Sequence, residues 1–324
     1  MNSMQAAVAG QARRNKKLLA DARYLGQQVT SQVLPLSVDI ASTTALSAAQ
    51  ADAVGGLQID AARAAIRSLA SLAKIGELDH LGGGLELIDA LTLSLAVTDF
   101  ERVEYTIEHA HTSVGYYGVL AAYGFIDEAA VVDGFRRGLD VPGHVSWLPG
   151  GTQLNGGRLG VMVPVAVGQA LGKRARRDDG AWVIAHCGDA GWVSGQALNG
   201  FNAADVARAP VTFVMHRNGI QLSGATRSIM DKDPRPIIEA MGVRILEIPS
   251  AHETERLYEA YREGWRLAQE GTPSLIYPTG FRSHEDHGIV DLRWFAERYG
   301  VVERVEAMAA EHGVSMNRPV WVPG

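Results

Sequence analysis

The chain has 324 residues, 47% hydrophobic and 20% charged, which is apolar material enough for one large domain or two small ones. Its net charge of −6 contains no long basic run, so the electrostatic footprint of a nucleic-acid or anionic-membrane binder is missing. The single cysteine, Cys187, excludes an intrachain disulfide and a thiolate-rich zinc site and fits a reducing, cytoplasmic setting.

Near the start, Arg13, Arg14, Lys16 and Lys17 form a basic cluster, but residues 18–28 are broken by Asp21, Arg23 and Gln27 and do not read as the apolar core of a signal peptide. No later stretch reaches the roughly 20 uncharged apolar residues of a membrane span. Residues 1–56, rich in Ala, Ser, Thr and Gln, read as an N-terminal extension with one or two helices. Helical spacing of Ile59, Ala62, Ile66, Leu69 and Leu72 predicts a helix over 58–74, and a similar pattern predicts one over 86–96, on either side of a glycine-rich break at 81–84. Further helices are expected over 116–123 and 161–173. Short β-branched or apolar runs at 182–185, 211–215, 243–248 and 275–277 read as strands alternating with helices. That alternation predicts an α/β fold with a doubly wound, mostly parallel sheet and helices on both faces. The main domain is expected over 57–290 and a C-terminal helical tail over 291–324.

Two segments carry the chemistry. His186-Cys187-Gly188-Asp189-Ala190-Gly191 follows one buried strand, and His216-Arg217-Asn218-Gly219-Ile220 follows the next. The carboxyl edge of neighbouring strands is where doubly wound sheets bind ligands. A carboxylate oxygen of Asp189, the amide oxygen of Asn218 and the main-chain carbonyl of Ile220 suit three positions of an octahedral Mg²⁺, leaving the rest to phosphate and water. Small residues at Gly188, Ala190 and Gly191 would let backbone N–H groups approach a diphosphate. Taken by themselves, the same segments are equally well read as a turn at Gly188-Asp189 and a β-turn at Asn218-Gly219.

This pairing resembles the thiamine-diphosphate motif, and four histidine neighbourhoods extend the likeness to transketolases in the same order along the chain. Asp79-His80-Leu81-Gly82-Gly83 is similar to that family's Gly-His-Pro-Gly-Gly turn, and Glu108-His109-Ala110-His111 to its Lys-Gly-His segment. Pro142-Gly143-His144 reproduces a Pro-Gly-His step, Gly156-Gly157-Arg158-Leu159-Gly160 resembles the loop Thr-Gly-Ser-Leu-Gly, and His284 stands where the last family histidine does. The resemblance spans about 57–290 and implies a thiamine-diphosphate-binding fold. It also implies that His111 and His284 contact the diphosphate, that His80, His144 and His284 face the donor sugar, and that Gly157 and Leu159 touch the aminopyrimidine. His109, His186, His216, His252 and His287 read as surface or satisfied core residues.

Two residues depart from the pattern. Ala190 replaces the usual motif glycine, which is tolerable at negative φ. Ser194 replaces an acid that in transketolases belongs to a carboxylate network between active sites. The glutamate that protonates the cofactor's pyrimidine lies, in this superfamily, on a second module, so the resemblance implies a split enzyme. Its partner would be a pyrimidine-binding, transketolase C-terminal-type subunit in a heterotetramer around a homodimeric core. Such an enzyme moves a two-carbon ketol unit from a ketose to an aldehyde. The alternatives are a decarboxylating 2-oxoacid dehydrogenase subunit, a deoxyxylulose-phosphate-synthase-like activity, or a non-catalytic partner-binding module.

Overall fold

The structure is a computed structural model that describes residues 36–73, 75, 81–138, 141–148, 150–152, 154, 156–176, 179–221, 224–280, 297, 299–300 and 306–307. Helix α1 (Ala48–Ala73) packs on α2 (Leu81–Val97), which leads into strand β1 (Val103–Ile107). A single 3₁₀ turn, Ala110–Thr112, opens α3 (Ser113–Ala122), and the short α4 (Glu128–Gly134) is capped by the Asp127 side chain, which accepts from the Ala129 N–H at 3.0 Å. Then follow α5 (Met162–Arg176), β2 (Trp182–Gly188), α6 (Gly195–Val206) and β3 (Val211–His216). A small hairpin of β4 (Ile220–Gln221) and β5 (Gly224–Ala225) precedes α7 (Arg235–Ala240), β6 (Arg244–Ile248), α8 (Thr254–Gln269) and β7 (Ser274–Pro278).

The main sheet is wholly parallel, in the order β1-β2-β3-β7-β6. Its central strands β2, β3 and β7 are buried on both faces, as parallel strands under crossover helices are, whereas the edge strand β6 exposes Arg244 and Glu247. Trp182, Ile184, Val214 and Ile276 point into a core with α1, α2, α3 and α8, whereas Val183, Ala185, Val211, Phe213 and Leu275 point into a second core with α5, α6 and α7. The period of two along each strand therefore divides one sheet between two helical layers. Helix α8 is strongly amphipathic: Leu257, Tyr258, Tyr261, Gly264, Leu267 and Ala268 are buried at helical spacing while its arginines and glutamates pair on the outer face. No described helix is long and apolar enough to cross a membrane.

The four expected strands are present within a residue or three of their expected ends, and the helices expected over 116–123 and 161–173 are α3 and α5. Three features differ. Residues 81–84 form the first turn of α2 instead of a break, because the glycines allow close contact: a Cβ on Gly83 would lie 2.8 Å from the His111 ring, and one on Gly84 would overlap Val114. Helix α1 begins at Ala48 and so runs through the boundary expected at 56. Strand β1 was not expected, since Glu104 and Thr106 interrupt its apolar residues; Glu104 is tolerated there by an ion pair with the buried Lys173 at 2.9 Å. Most of the tail expected over 291–324 lies outside the described residues, although the Tyr299 hydroxyl donates to the Leu85 carbonyl at 3.3 Å.

Candidate functional site

Strands β1, β2 and β3 run in register so that Ile107 faces His186 and Gly188 faces His216, which brings the segments after all three strands to one carboxyl edge. The turn at Asp189 sits between the ends of β2 and β3. One carboxylate oxygen of Asp189 accepts the N–H groups of Gly219 at 2.7 Å and Asn218 at 3.2 Å and lies 3.3 Å from the Thr226 hydroxyl. The Gln221 side chain donates to the Asp189 carbonyl at 3.1 Å. Burial pushes the Asp189 carboxyl up to about 6, with the two backbone N–H groups acting against that shift. Gly219 takes φ of +75°, a conformation that favours glycine and lets the chain turn directly beside the carboxylate. Ala190 is not among the residues with positive φ, so its methyl is accommodated without strain.

A single carboxylate, an amide side chain and a strand-end carbonyl are hard oxygen donors of the kind Mg²⁺ prefers. Among the described residues no three His, Cys, Asp or Glu side chains converge as a metal cluster, so any cation here would depend on that mixed oxygen set. Beside Asp189 opens a cleft of about 440 Å³, lined in part by Trp192, Arg217, Gly219, Thr226 and Tyr277. The guanidinium groups of Arg217 and Arg235 each stack on Tyr277, 4.3 and 4.4 Å from the ring centre, which fixes one wall of that cleft.

Beneath the edge lies a chain of buried polar groups. Tyr261 on α8 and Ser94 on α2 approach to 2.7 Å, Ser94 Oγ lies 2.9 Å from His186 Nε2, and His186 Nδ1 lies 2.9 Å from His216 Nε2. His186 and His216 are thus satisfied, as expected of core histidines. His109 is different: it is buried, its ring centre lies 4.9 Å from that of His216 in a tilted contact and 5.8 Å from that of His111 edge to face, and neither ring nitrogen has a hydrogen bond of normal geometry among the described residues. Burial and the neighbouring imidazoles hold His109 far below the usual histidine range.

Of the histidines expected at the site, His80 and His284 lie outside the described residues. His111 is on the 3₁₀ turn after β1, against Gly83 at the start of α2. His144 is exposed on a loop tied to that turn: the Val145 N–H donates to the Ala110 carbonyl at 2.8 Å, and the Tyr117 hydroxyl donates to the His144 carbonyl at 2.9 Å. Gly156 closes on the same place, its N–H donating to the Val145 carbonyl at 3.1 Å. Segments 109–112, 143–145 and 156–160 therefore share one patch. Gly157 (φ +122°) and the half-exposed Leu159 lie on its open side.

Glu108 is the site residue for which the sequence reading had no role. It is 1% exposed, and its carboxylate accepts the N–H of Gly160 at 2.5 Å and that of Gly188 at 3.3 Å. Burial raises its pKa, against those two hydrogen bonds. The sequence carried little signal for it, since Glu104 and Thr106 interrupt the apolar residues before it.

Known proteins share parts of this sequence and this fold. Residues 152–291 match the dehydrogenase E1 component family. Over 136 residues the chain is 32% identical to an apulose-4-phosphate transketolase subunit of Actinobacillus succinogenes, a match covering 41% of this chain and 49% of that one. The fold is similar to that of transketolase from Pichia stipitis (TM-score 0.60, 18% identity, 82% of this chain and 42% of that chain). It is also similar to transketolase from Campylobacter jejuni (TM-score 0.59, 20% identity, 83% and 44%). The chain thus matches about half the length of the Actinobacillus succinogenes protein, and less than half that of the transketolases, that it resembles. The protein is an α/β protein whose fold is similar to that of part of a transketolase chain. Part of it, residues 152–291, is similar to the dehydrogenase E1 component family, and part is similar to one subunit of a transketolase.

Proposed function

We propose that this chain is the diphosphate- and magnesium-binding subunit of a split, transketolase-like enzyme that moves a two-carbon ketol unit from a ketose to an aldehyde acceptor. The observation that carries the reading is the Asp189 carboxylate, buried at the junction of β2 and β3 and oriented by the N–H groups of Asn218 and Gly219. In this reading Asp189, Asn218 and the Ile220 carbonyl hold Mg²⁺, while Gly188 and Ala190 offer a close backbone approach to the diphosphate. His111 and His284 donate to the diphosphate, and Gly157 and Leu159 lie against the aminopyrimidine. His80, His144 and His284 hold the donor's hydroxyls and carbonyl and move protons there. When bound, thiamine diphosphate supplies the nucleophilic carbon and electron sink for cleavage beside a carbonyl.

The partner in this reading is a pyrimidine-binding, transketolase C-terminal-type chain, two of which join two of these chains in a heterotetramer. That the Actinobacillus succinogenes homologue is named as one subunit of a transketolase supports the need for a second chain. The exposed Leu154 and Leu159 beside the patch are apolar surface that association would cover. The buried thiol of Cys187 suits a reducing, cytoplasmic setting. Titration calorimetry with thiamine diphosphate and Mg²⁺ tests the site: the parent should bind both together, and Asp189→Ala should lose metal-dependent binding. Equal affinity in the variant would remove Asp189 from the site.

The match to the dehydrogenase E1 component family supports a second reading, a 2-oxoacid decarboxylating subunit. Ketose donors and 2-oxoacids assayed side by side separate the two, since the first reading expects turnover of a ketose without release of carbon dioxide and the second expects no turnover of a ketose.

A further inference from the structure

Glu108 touches both loops that face the candidate site. Its Oε1 accepts the Gly160 N–H, at the end of the 156–160 loop, and its Oε2 accepts the Gly188 N–H, at the start of the Gly188–Gly191 turn. Gly191 has no side chain where one would overlap the Glu108 carboxylate, so the turn is folded directly onto that group. Ser194 closes the same knot: its N–H donates to the Gly191 carbonyl at 3.0 Å, and a Cβ on Gly160 would overlap its Oγ. Glu108 itself is fixed from the other side, its own N–H donating to the His186 carbonyl at 2.8 Å at the end of β2. A carboxylate with two backbone donors is a strong and directional tie, and its loss leaves two buried N–H groups unsatisfied.

The geometry points to Glu108 as a positioning residue that sets the distance between the 156–160 loop and the Gly188–Gly191 turn, and so between the places that hold the two ends of the cofactor. This rests on the proposed reading of those loops as binding aminopyrimidine and diphosphate respectively. It also accounts for Ser194. Both Glu108 and Ser194 contact Gly160 and Gly191, so an acid at 194 would bring a second carboxylate against the first in a buried space, where two negative charges repel.

Hydrogen exchange on the full cofactor-free chain tests the tie. In Glu108→Ala, exchange over 156–161 and 188–194 should accelerate about tenfold or more while β3 (Val211–His216) and β7 (Ser274–Pro278) stay protected. Glu108→Gln, of nearly the same shape, keeps an acceptor for only one of the two N–H groups, so at least one segment should open; this variant decides the matter if the alanine variant does not fold. Unchanged exchange in both segments, or faster exchange spread evenly through β3 and β7, would overturn the inference. Calorimetry with thiamine diphosphate and Mg²⁺ on the same proteins should find about tenfold weaker binding in the glutamine variant. If the parent binds no thiamine diphosphate, the cofactor reading fails while the exchange experiment still decides whether Glu108 ties the loops.

Discussion

Both ring nitrogens of His109 are buried without a normal hydrogen bond among the described residues, beside His186, His216 and His111. Burial keeps His109 and His186 far below the usual imidazole value and takes His216 down to about 3. In the unfolded chain these three accept protons below about pH 6.5, while in the folded chain they stay neutral, so their contribution to stability is present above that pH and is lost as pH falls. Asp189 and Glu108 act in the opposite sense, because burial raises their pKa values and the folded state holds their protons longer. Three histidines against two carboxyls leave a net loss of stability on acidification below about pH 6. His109→Leu removes one of the three and sacrifices no good hydrogen bond, so the variant should gain stability over the parent at pH 5 and differ less at pH 8. Melting curves across that range check the sign; parallel pH profiles would mean that His109 takes up its proton in the folded protein as readily as in the unfolded one.

At the scale of elements, close packing of small residues decides what the sequence pattern alone does not. Gly115 on α3 lies against the backbone of Gly84 on α2, so closely that a Cβ there would overlap the Gly84 carbonyl. Gly115→Ala should cost about 1–3 kcal/mol by forcing the helices apart, visible as a fall of several degrees in Tm. Helix α6 offers a second test. The Ser194 hydroxyl caps it by accepting the Ala197 N–H at 3.2 Å, and aspartate would cap as well. Ser194→Asp should nevertheless lower stability and cofactor affinity through its charge near Glu108, and should be tolerated better in Glu108→Gln; additive effects in that double-mutant cycle would deny that coupling.

These elements also mark what was legible in the sequence. Strands β2, β3 and β7 declared themselves as short apolar runs because they are buried on both faces, and the edge strand β6 was legible through Ile245, Leu246 and Ile248 although Arg244 and Glu247 are exposed. Strand β1 did not, because Glu104 is neutralised by Lys173 from a distant helix, and the glycine run at 81–84 looked like a break because its helical partner, α3, is not a neighbour in sequence. The Gly188-Asp189 and Asn218-Gly219 turns were legible as two turns, and the structure brings them into contact. The links from Ser94 and Tyr261 to His186, and from Glu108 to Gly160 and Gly188, were not legible, since they join residues that only the tertiary fold brings together.

For the whole molecule, the proposed function makes this chain one half of a site shared with a partner. The patch built by 109–112, 143–145 and 156–160 is open on the side where Leu154 and Leu159 are exposed, and the chain corresponds to 42% of the Pichia stipitis transketolase chain that it resembles. The interface should therefore be apolar at Leu154 and Leu159, and Leu159→Asp should weaken association with the partner while leaving the fold intact. The most direct measurement is a ketol-transfer assay with a ketose donor, an aldehyde acceptor, thiamine diphosphate and Mg²⁺, run on this chain alone and with a pyrimidine-binding partner chain. The account predicts negligible turnover by the chain alone and activity that rises with added partner to a plateau at equal proportions. Full turnover by the chain alone, unchanged when the partner is added, would contradict it.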